Sequence, residues 1–439
     1  MNPMRQTLVP LACALTAASS AYALQPLEQF AERARAQSFD ARESAATVAA
    51  KREESARAWQ ALLPSATLRA SYTRNQYPAS SNVPANPATG APGRTITILP
   101  EDQLDAFAII DLPLVDIARW SLVSASKHAE HASERRAEQT ALDLDKQIAR
   151  AYFTVIAAEA LTKAADRSLA WAIDNHELVS QRQKVGLATD LEVRRAAAEV
   201  EHARQATADA RYTALVTRRA LASLSGVTPE EGAPAIVDDL APEPQASTLE
   251  EGAAGTPGVL AAARDVDAAR ANVAAAWGAL APSVAANFTE RLTNATGFAG
   301  QSQVYAASVT ATWRLEVGAW AGVKALEAAE ALAMVRRERT ERAARDLAVQ
   351  ARAQVEAGIV KARAARAQVE AAGEAARLAH ERYAQGRATQ LEVVQGDRDA
   401  FEAEVGRIQA DADLAYARHL LRSSTGQPLA AARAGKETP

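Results

Sequence analysis

Apolar positions follow two different periods along this chain. Leu144, Ile148, Ala151, Val155 and Ala158 are spaced four, three, four and three apart, the heptad step of helices that pack along a seam. Tyr152, Phe153 and Ile156 widen that stripe, as expected of a helix with neighbours on two sides. Neither Pro nor Gly occurs from Ala118 to Lys184, so the pattern predicts one helix there of about 67 residues, ~100 Å long. A second Pro-free stretch, Ala319 to Gln385, predicts a matching helix, although it carries Gly322, Gly358 and Gly373. Its seam positions, Ala344, Ala348, Ala351, Val355 and Gly358, are smaller and let helix backbones approach closely.

Between the helical stretches the period changes to two. Ala66, Leu68, Ala70 and Tyr72 alternate with Thr67, Arg69, Ser71 and Thr73. Val284, Ala286 and Phe288 alternate with Ala285, Asn287 and Thr289. The longest run sets Tyr305, Ala307, Val309, Ala311, Trp313 and Leu315 against Ala306, Ser308, Thr310, Thr312, Arg314 and Glu316. A fourth segment, Phe107 to Leu114, is less regular and contains Pro113. Alternation over about ten residues, with aromatics near the ends, matches a strand with lipid on one face and water on the other. Four strands cannot close a barrel, and open edges are not tolerated in lipid. Taken alone, the strands also fit a four-stranded soluble sheet, and the helices alone fit a soluble coiled coil.

The order of elements is written twice. Gly186-Leu-Ala-Thr-Asp-Leu-Glu-Val193 recurs as Gly386-Arg-Ala-Thr-Gln-Leu-Glu-Val393, an offset of 200 that also pairs Trp120 with Trp320 and Arg218 with Arg418. Further upstream the offset is 218, matching Trp59-Gln-Ala-Leu-Leu-Pro-Ser65 with Trp277-Gly-Ala-Leu-Ala-Pro-Ser283. The first copy therefore holds 18 extra residues, which fall in Asn75 to Pro100, a Pro-, Ser-, Asn- and Gly-rich stretch that reads as a loop. Each copy runs helix, strand, loop, strand, long helix, turn, helix.

Composition sharpens this picture. Ala supplies much of the 48 % hydrophobic content, and 20 Gly and 18 Pro in 439 residues leave room for a largely helical chain. A net charge of −4 lacks the basic surface of a general nucleic-acid binder, so no nucleic-acid partner is expected. One Cys excludes a disulfide framework and a Cys-based zinc site. Arg5, the apolar stretch Leu8 to Leu15 and the small residues ending Ala21-Tyr22-Ala23 form a secretory signal, with cleavage expected after Ala23. Lipidation of Cys13 is the alternative, though Pro10-Leu11-Ala12 fits that signal poorly. The expected organisation is a leader at 1–23, repeat one at 24–227, a linker at 228–247, repeat two at 248–427 and a polar tail at 428–439. Ser247-Thr-Leu-Glu250 has the pattern of a capping box opening the second repeat. No run of 18 apolar residues follows the leader, so no spanning helix is expected.

The whole mature chain, Leu24 to Gln427, resembles the TolC-type outer-membrane efflux proteins (outer membrane factors). The resemblance rests on the element order, the doubled GLATDLEV and GRATQLEV turns, the LLPS and LAPS segments before strands, and DLPLVDIARW after the second strand. It implies a fold that is mostly α with transmembrane β. Four strands per chain would enter a trimeric 12-stranded barrel, continued by a long periplasmic α-helical tunnel. It implies a homotrimer in the outer membrane of a Gram-negative bacterium, in contact with outer-membrane lipid and extending into the periplasm. The function implied is an exit duct for tripartite efflux or type I secretion, joined by a periplasmic adaptor to an inner-membrane pump of RND or ABC type. No catalytic role and no cofactor are expected, and neither G-x-x-x-x-G-K-[ST] nor G-x-S-x-G occurs. A periplasmic scaffold or an adaptor without its own pore is the alternative. An adaptor should carry one hairpin between strand-rich halves, not two in a duplicated chain.

The paired turns are the candidate sites. Gly186 and Gly386 stand where a helix ends in a left-handed residue. Thr189 and Thr389 can cap the next helix, with Glu192 and Glu392 three residues on. By the resemblance these tips (Gly186, Thr189, Glu192, Gly386 and Thr389) meet the adaptor. Glu392 matches one of two acids that ring the closed pore, while the second acid is replaced by neutral Gln395. Trp120 and Trp320 follow strands and Trp313 lies within the longest alternating run; all three are candidate membrane-interface aromatics, with packing at the barrel–helix junction as the alternative for Trp120 and Trp320. His128, His131 and Glu134 lie on one helix and read as a solvated surface, because a metal site needs more converging ligands.

Overall fold

The computed structural model describes residues 24–85, 90, 92–232, 234, 236, 238, 240–243 and 252–425. The leader at 1–23, the capping box at Ser247–Glu250, the tail at 428–439 and part of the linker lie outside the described residues.

Helix α1 spans Leu27–Gln37. Ser38 then caps α2 (Phe39–Gln60), its hydroxyl oxygen accepting from the Ala41 amide at 3.1 Å. Strand β1 (Ser65–Arg74) is followed by β2 (Ala79–Val83), β3 (Arg94–Leu99) and β4 (Asp102–Val115). Asp116 caps α3 (Ile117–Lys184) by accepting from the Arg119 amide at 2.9 Å, and α4 spans Asp190–Ser225. The second copy holds α5 (Pro257–Gly278), β5 (Ser283–Thr293), β6 (Gln303–Thr312), α6 (Val317–Ala384) and α7 (Gln390–Ser424). Helices α3 and α6 are 68 residues each and stand within two residues of the expected ends. Gly358 does not break α6. A Cβ there would come 3.2 Å from the Leu414 side chain, so its absence lets α6 and α7 close on each other.

The four long strands form one antiparallel sheet in the order β1-β4-β5-β6. Its register collects the apolar alternation on one face. Leu68 opposes Ala108, Ile110 opposes Phe288, and Phe288 opposes Ala307. The other face carries Arg69 opposite Phe107, Phe107 opposite Arg291, and Asn287 opposite Ser308. Pro113 cannot donate to the ladder, and the register shifts between Pro113 and Val115, which accounts for the irregular pattern of β4. Strands β1 and β6 each leave one edge unpaired within the chain.

Two expectations need correction. The stretch Asn75–Pro100 is not all loop, because β2 and β3 pair across it as a second small sheet. The β-branched run Thr95-Ile96-Thr97-Ile98 supplies strand propensity that the flanking Pro and Gly signals had masked. The alternation read as far as Glu316 ends as strand at Thr312, whose partner Ser283 is the first residue of β5. Beyond that pair no strand is available. The Trp313 indole donates to the Leu280 carbonyl at 3.0 Å, and Glu316 becomes the residue before α6.

The main apolar cluster joins Phe30 of α1 to Ile148, Tyr152 and Val155 of α3 and Leu221 of α4. A second cluster joins Ala351, Val355 and Ala362 of α6 to Leu414 and Leu421 of α7. Val155 and Val355, equivalent in the two copies, are both fully buried, as heptad spacing requires.

Candidate functional site

The two helical turns pack against each other far along the chain from the sheet. At the first, the Gly186 amide donates to the Gln183 carbonyl at 2.9 Å and the Leu187 amide to the Arg182 carbonyl at 2.8 Å. At the second, Gly386 donates to Tyr383 at 3.0 Å and Arg387 to Arg382 at 2.8 Å. These bonds take up carbonyls orphaned at the helix ends. The glycines have φ of 78° and 72°, and a Cβ at either would meet nothing within 4 Å. Backbone conformation, rather than space, therefore selects glycine.

Both expected capping boxes are formed. The Glu192 amide donates to the Thr189 hydroxyl oxygen at 3.3 Å, while the Thr189 amide and hydroxyl donate to the Glu192 carboxylate at 2.7 and 2.9 Å. The Thr189 backbone amide, then its hydroxyl, hold the Glu192 carboxyl below its ordinary range, with Arg182 and Arg195 adding to the effect. At the second turn the Glu392 amide donates to Thr389 at 3.3 Å and the Thr389 hydroxyl to Glu392 at 3.2 Å. Glu392 and Gln395 are both exposed.

Contacts between the hairpins were not foreseen. Val179 and Ala196 of the first pack with Tyr383 and Val393 of the second. The Arg182 guanidinium lies 4.6 Å from the Tyr383 ring centre and donates to the Tyr383 carbonyl at 3.0 Å. Arg398 reaches across to Glu199 at 3.1 Å. Gln390 is 1 % exposed, and neither of its amide atoms has a hydrogen-bond partner among the described residues. The available signal was Tyr383 itself, a large aromatic next to an exposed turn where the first copy has Gln183. Beside this junction, a groove of about 430 Å³ is lined by Trp171, Asn175, Leu178, Arg377, His380 and Asp397. His380 Nε2 lies 2.8 Å from the Asp397 carboxylate, which raises the imidazole pKa above its ordinary value.

At the opposite end, Trp120, Trp313 and Trp320 are all exposed where helices meet strands. Trp320 meets Trp277 edge-on at 5.5 Å, a pairing the sequence reading missed. His131 Nδ1 lies 3.1 Å from Glu134, and among the described residues no group of three or more His, Cys, Asp or Glu could hold a metal. Among those residues no helix is long and apolar enough to cross a membrane.

The sequence profile described as Outer membrane efflux protein matches residues 30–227 and 249–427. No curated protein matches the chain significantly. The fold is similar to that of the open-state MtrE outer membrane channel of Neisseria gonorrhoeae. The TM-score is 0.76 at 21 % identity, covering 91 % of this chain and 89 % of that one. It is similar to the CmeC outer membrane channel of Campylobacter jejuni, with TM-score 0.77, 16 % identity, and coverage of 92 % and 86 %. The outer membrane protein VceC of Vibrio cholerae gives 0.75 at 17 %, covering 91 % and 96 %.

Proposed function

The chain belongs to the outer membrane efflux protein family, and from that premise we propose how its two ends work in export. It is an outer-membrane efflux channel, with strands for the membrane and long helices for the periplasm. The observation that carries the detailed reading is the separation of two unlike ends by 68-residue helices. One end is a sheet with an apolar face and two unpaired edges. The other is a pair of capped, glycine-ended hairpins.

Edges left open in lipid must pair, and four strands per chain close into a 12-stranded barrel when three chains associate. The helices then form a tunnel whose far end is built from the paired tips. Gly186, Thr189 and Glu192, with Gly386 and Thr389, dock a periplasmic adaptor that links the duct to an inner-membrane pump of RND or ABC type. Glu392 and Gln395 line the narrow periplasmic opening, and a single ring of acids there favours cations. Trp120, Trp313 and Trp320 sit at the membrane interface.

The experiment replaces both turn glycines. Gly186→Val with Gly386→Val forces a β-branched residue toward positive φ, which strains both tips. Trimers are expected to form, since barrel and upper tunnel are remote, while export is lost. Normal export by the double variant would remove the tips from docking.

A further inference from the structure

The sheet face opposite the lipid-facing one carries a basic stack. Arg69 of β1, Phe107 of β4 and Arg291 of β5 lie in one cross-strand row. Both guanidinium groups stand over the same ring, Arg69 at 5.3 Å and Arg291 at 5.6 Å from its centre. The two cations differ in their partners. Arg291 is paired with Asp105, whose Oδ1 accepts from Arg291 Nε at 2.9 Å and whose Oδ2 accepts from Gln103 at 2.7 Å. That carboxylate side chain is 8 % exposed, so it is occupied and largely covered. The second acid on this face, Asp111, accepts from Asn287 at 2.7 Å. Arg69 is exposed and stands over the Phe107 ring.

The edge position of β1 makes this matter. In the trimer proposed above, on which this inference rests, β1 pairs with β6 of the next chain. The same-face residues of β6 are Val304, Ala306, Ser308, Thr310 and Thr312, none of them acidic. No carboxylate on that strand can neutralise Arg69 from the far side. Each chain therefore adds to the lumen, at the same height, one guanidinium with no carboxylate partner in its row, while the charge of Asp111 lies four residues along β4.

We propose that three Arg69 side chains, each standing over Phe107, form an oxyanion-binding band inside the barrel that takes organic carboxylates on their way out. A guanidinium presents a planar fork that matches a carboxylate, and the ring beneath it favours the cation. The band lies at the opposite end of the duct from Glu392 and carries the opposite sign.

The test uses purified full-length protein in planar bilayers at low salt, with benzene-1,3,5-tricarboxylate as the probe. Wild-type pores are expected to be blocked by the probe. Arg69→Gln should lower that sensitivity by about tenfold or more and shift the reversal potential in a KCl gradient toward cation preference. Arg69→Lys should keep the reversal potential, because the charge remains, yet lose part of the block, because the planar fork is gone. Unchanged block and reversal potential in Arg69→Gln would overturn the proposal. If Arg69→Gln forms no pores, block in Arg69→Lys equal to wild type overturns it and weakened block supports it. Wild-type protein that forms no pore at all would instead overturn the channel reading, and this inference with it.

Discussion

Helices α3 and α6 have the same length and the same place in their repeats, but they live in different surroundings. Eighteen residues of α3 are buried, against seven of α6. Helix α3 packs on α1, α2, α4, α5 and α7, whereas α6 packs on α5 and α7. At equivalent positions Ala149 is 0 % exposed while Val349 is 53 % exposed. Leu332, Val335 and Val360 extend the open apolar surface of α6. Duplication supplied the two helices with one backbone plan, while α1 packs on α2, α3 and α4, all of the first copy. The exposed side of α6 is where another copy of the chain would supply the missing cover.

The sharpest way to break this comparison is to mutate both helices. Ile148→Ala, in the closed core of α3, should cost about 2–5 kcal/mol in urea unfolding. Val349→Ala should change unfolding of the isolated chain by less than about 0.5 kcal/mol, as an exposed site does. Val349→Asp should leave the helical circular dichroism intact while dissociating the assembly. If Val349→Asp assembles normally, the open face of α6 is not an interface.

A smaller effect concerns the tips, where the two copies agree. Both boxes have the same bonds, so Thr189→Ala and Thr389→Ala should each cost about 1 kcal/mol of stability. Thermal unfolding of the two single variants checks this, and unequal losses would show that the tips are not equivalent.

The smallest effect separates the copies again. The His380–Asp397 pair has no counterpart in the first hairpin, where the matching residues are Ser180 and Ala197. Asp397 raises the folded pKa of His380 above the unfolded value of about 6.5. Its stabilisation is full below the unfolded pKa and is lost as pH rises through the folded one. His380→Gln should therefore lower the melting temperature more at about pH 6 than at about pH 8. Equal losses at both pH values would mean that the charge on His380 contributes nothing to stability.

Local chemistry made most of the fold legible. The absence of Pro and Gly set the ends of α3, and the positive-φ glycines and Thr-x-x-Glu spacing set both tips before any contact was known. What stayed hidden depends on contacts distant in sequence. Arg182 and Tyr383 meet across 201 positions, and nothing near either residue announces the other. Trp277 pairs with Trp320 because α5 and α6 converge, a relation that periodicity within one helix does not carry. The β2–β3 hairpin was obscured because turn-forming residues outnumber the short β-branched run between them.

The central claim is that the open face of α6 and the free edges of β1 and β6 are completed by other copies of the same chain. Native mass spectrometry of the protein extracted from outer membranes in mild detergent tests it most directly. Three chains per particle, stable on dilution, is the predicted result. A stable single chain in the same detergent would contradict it.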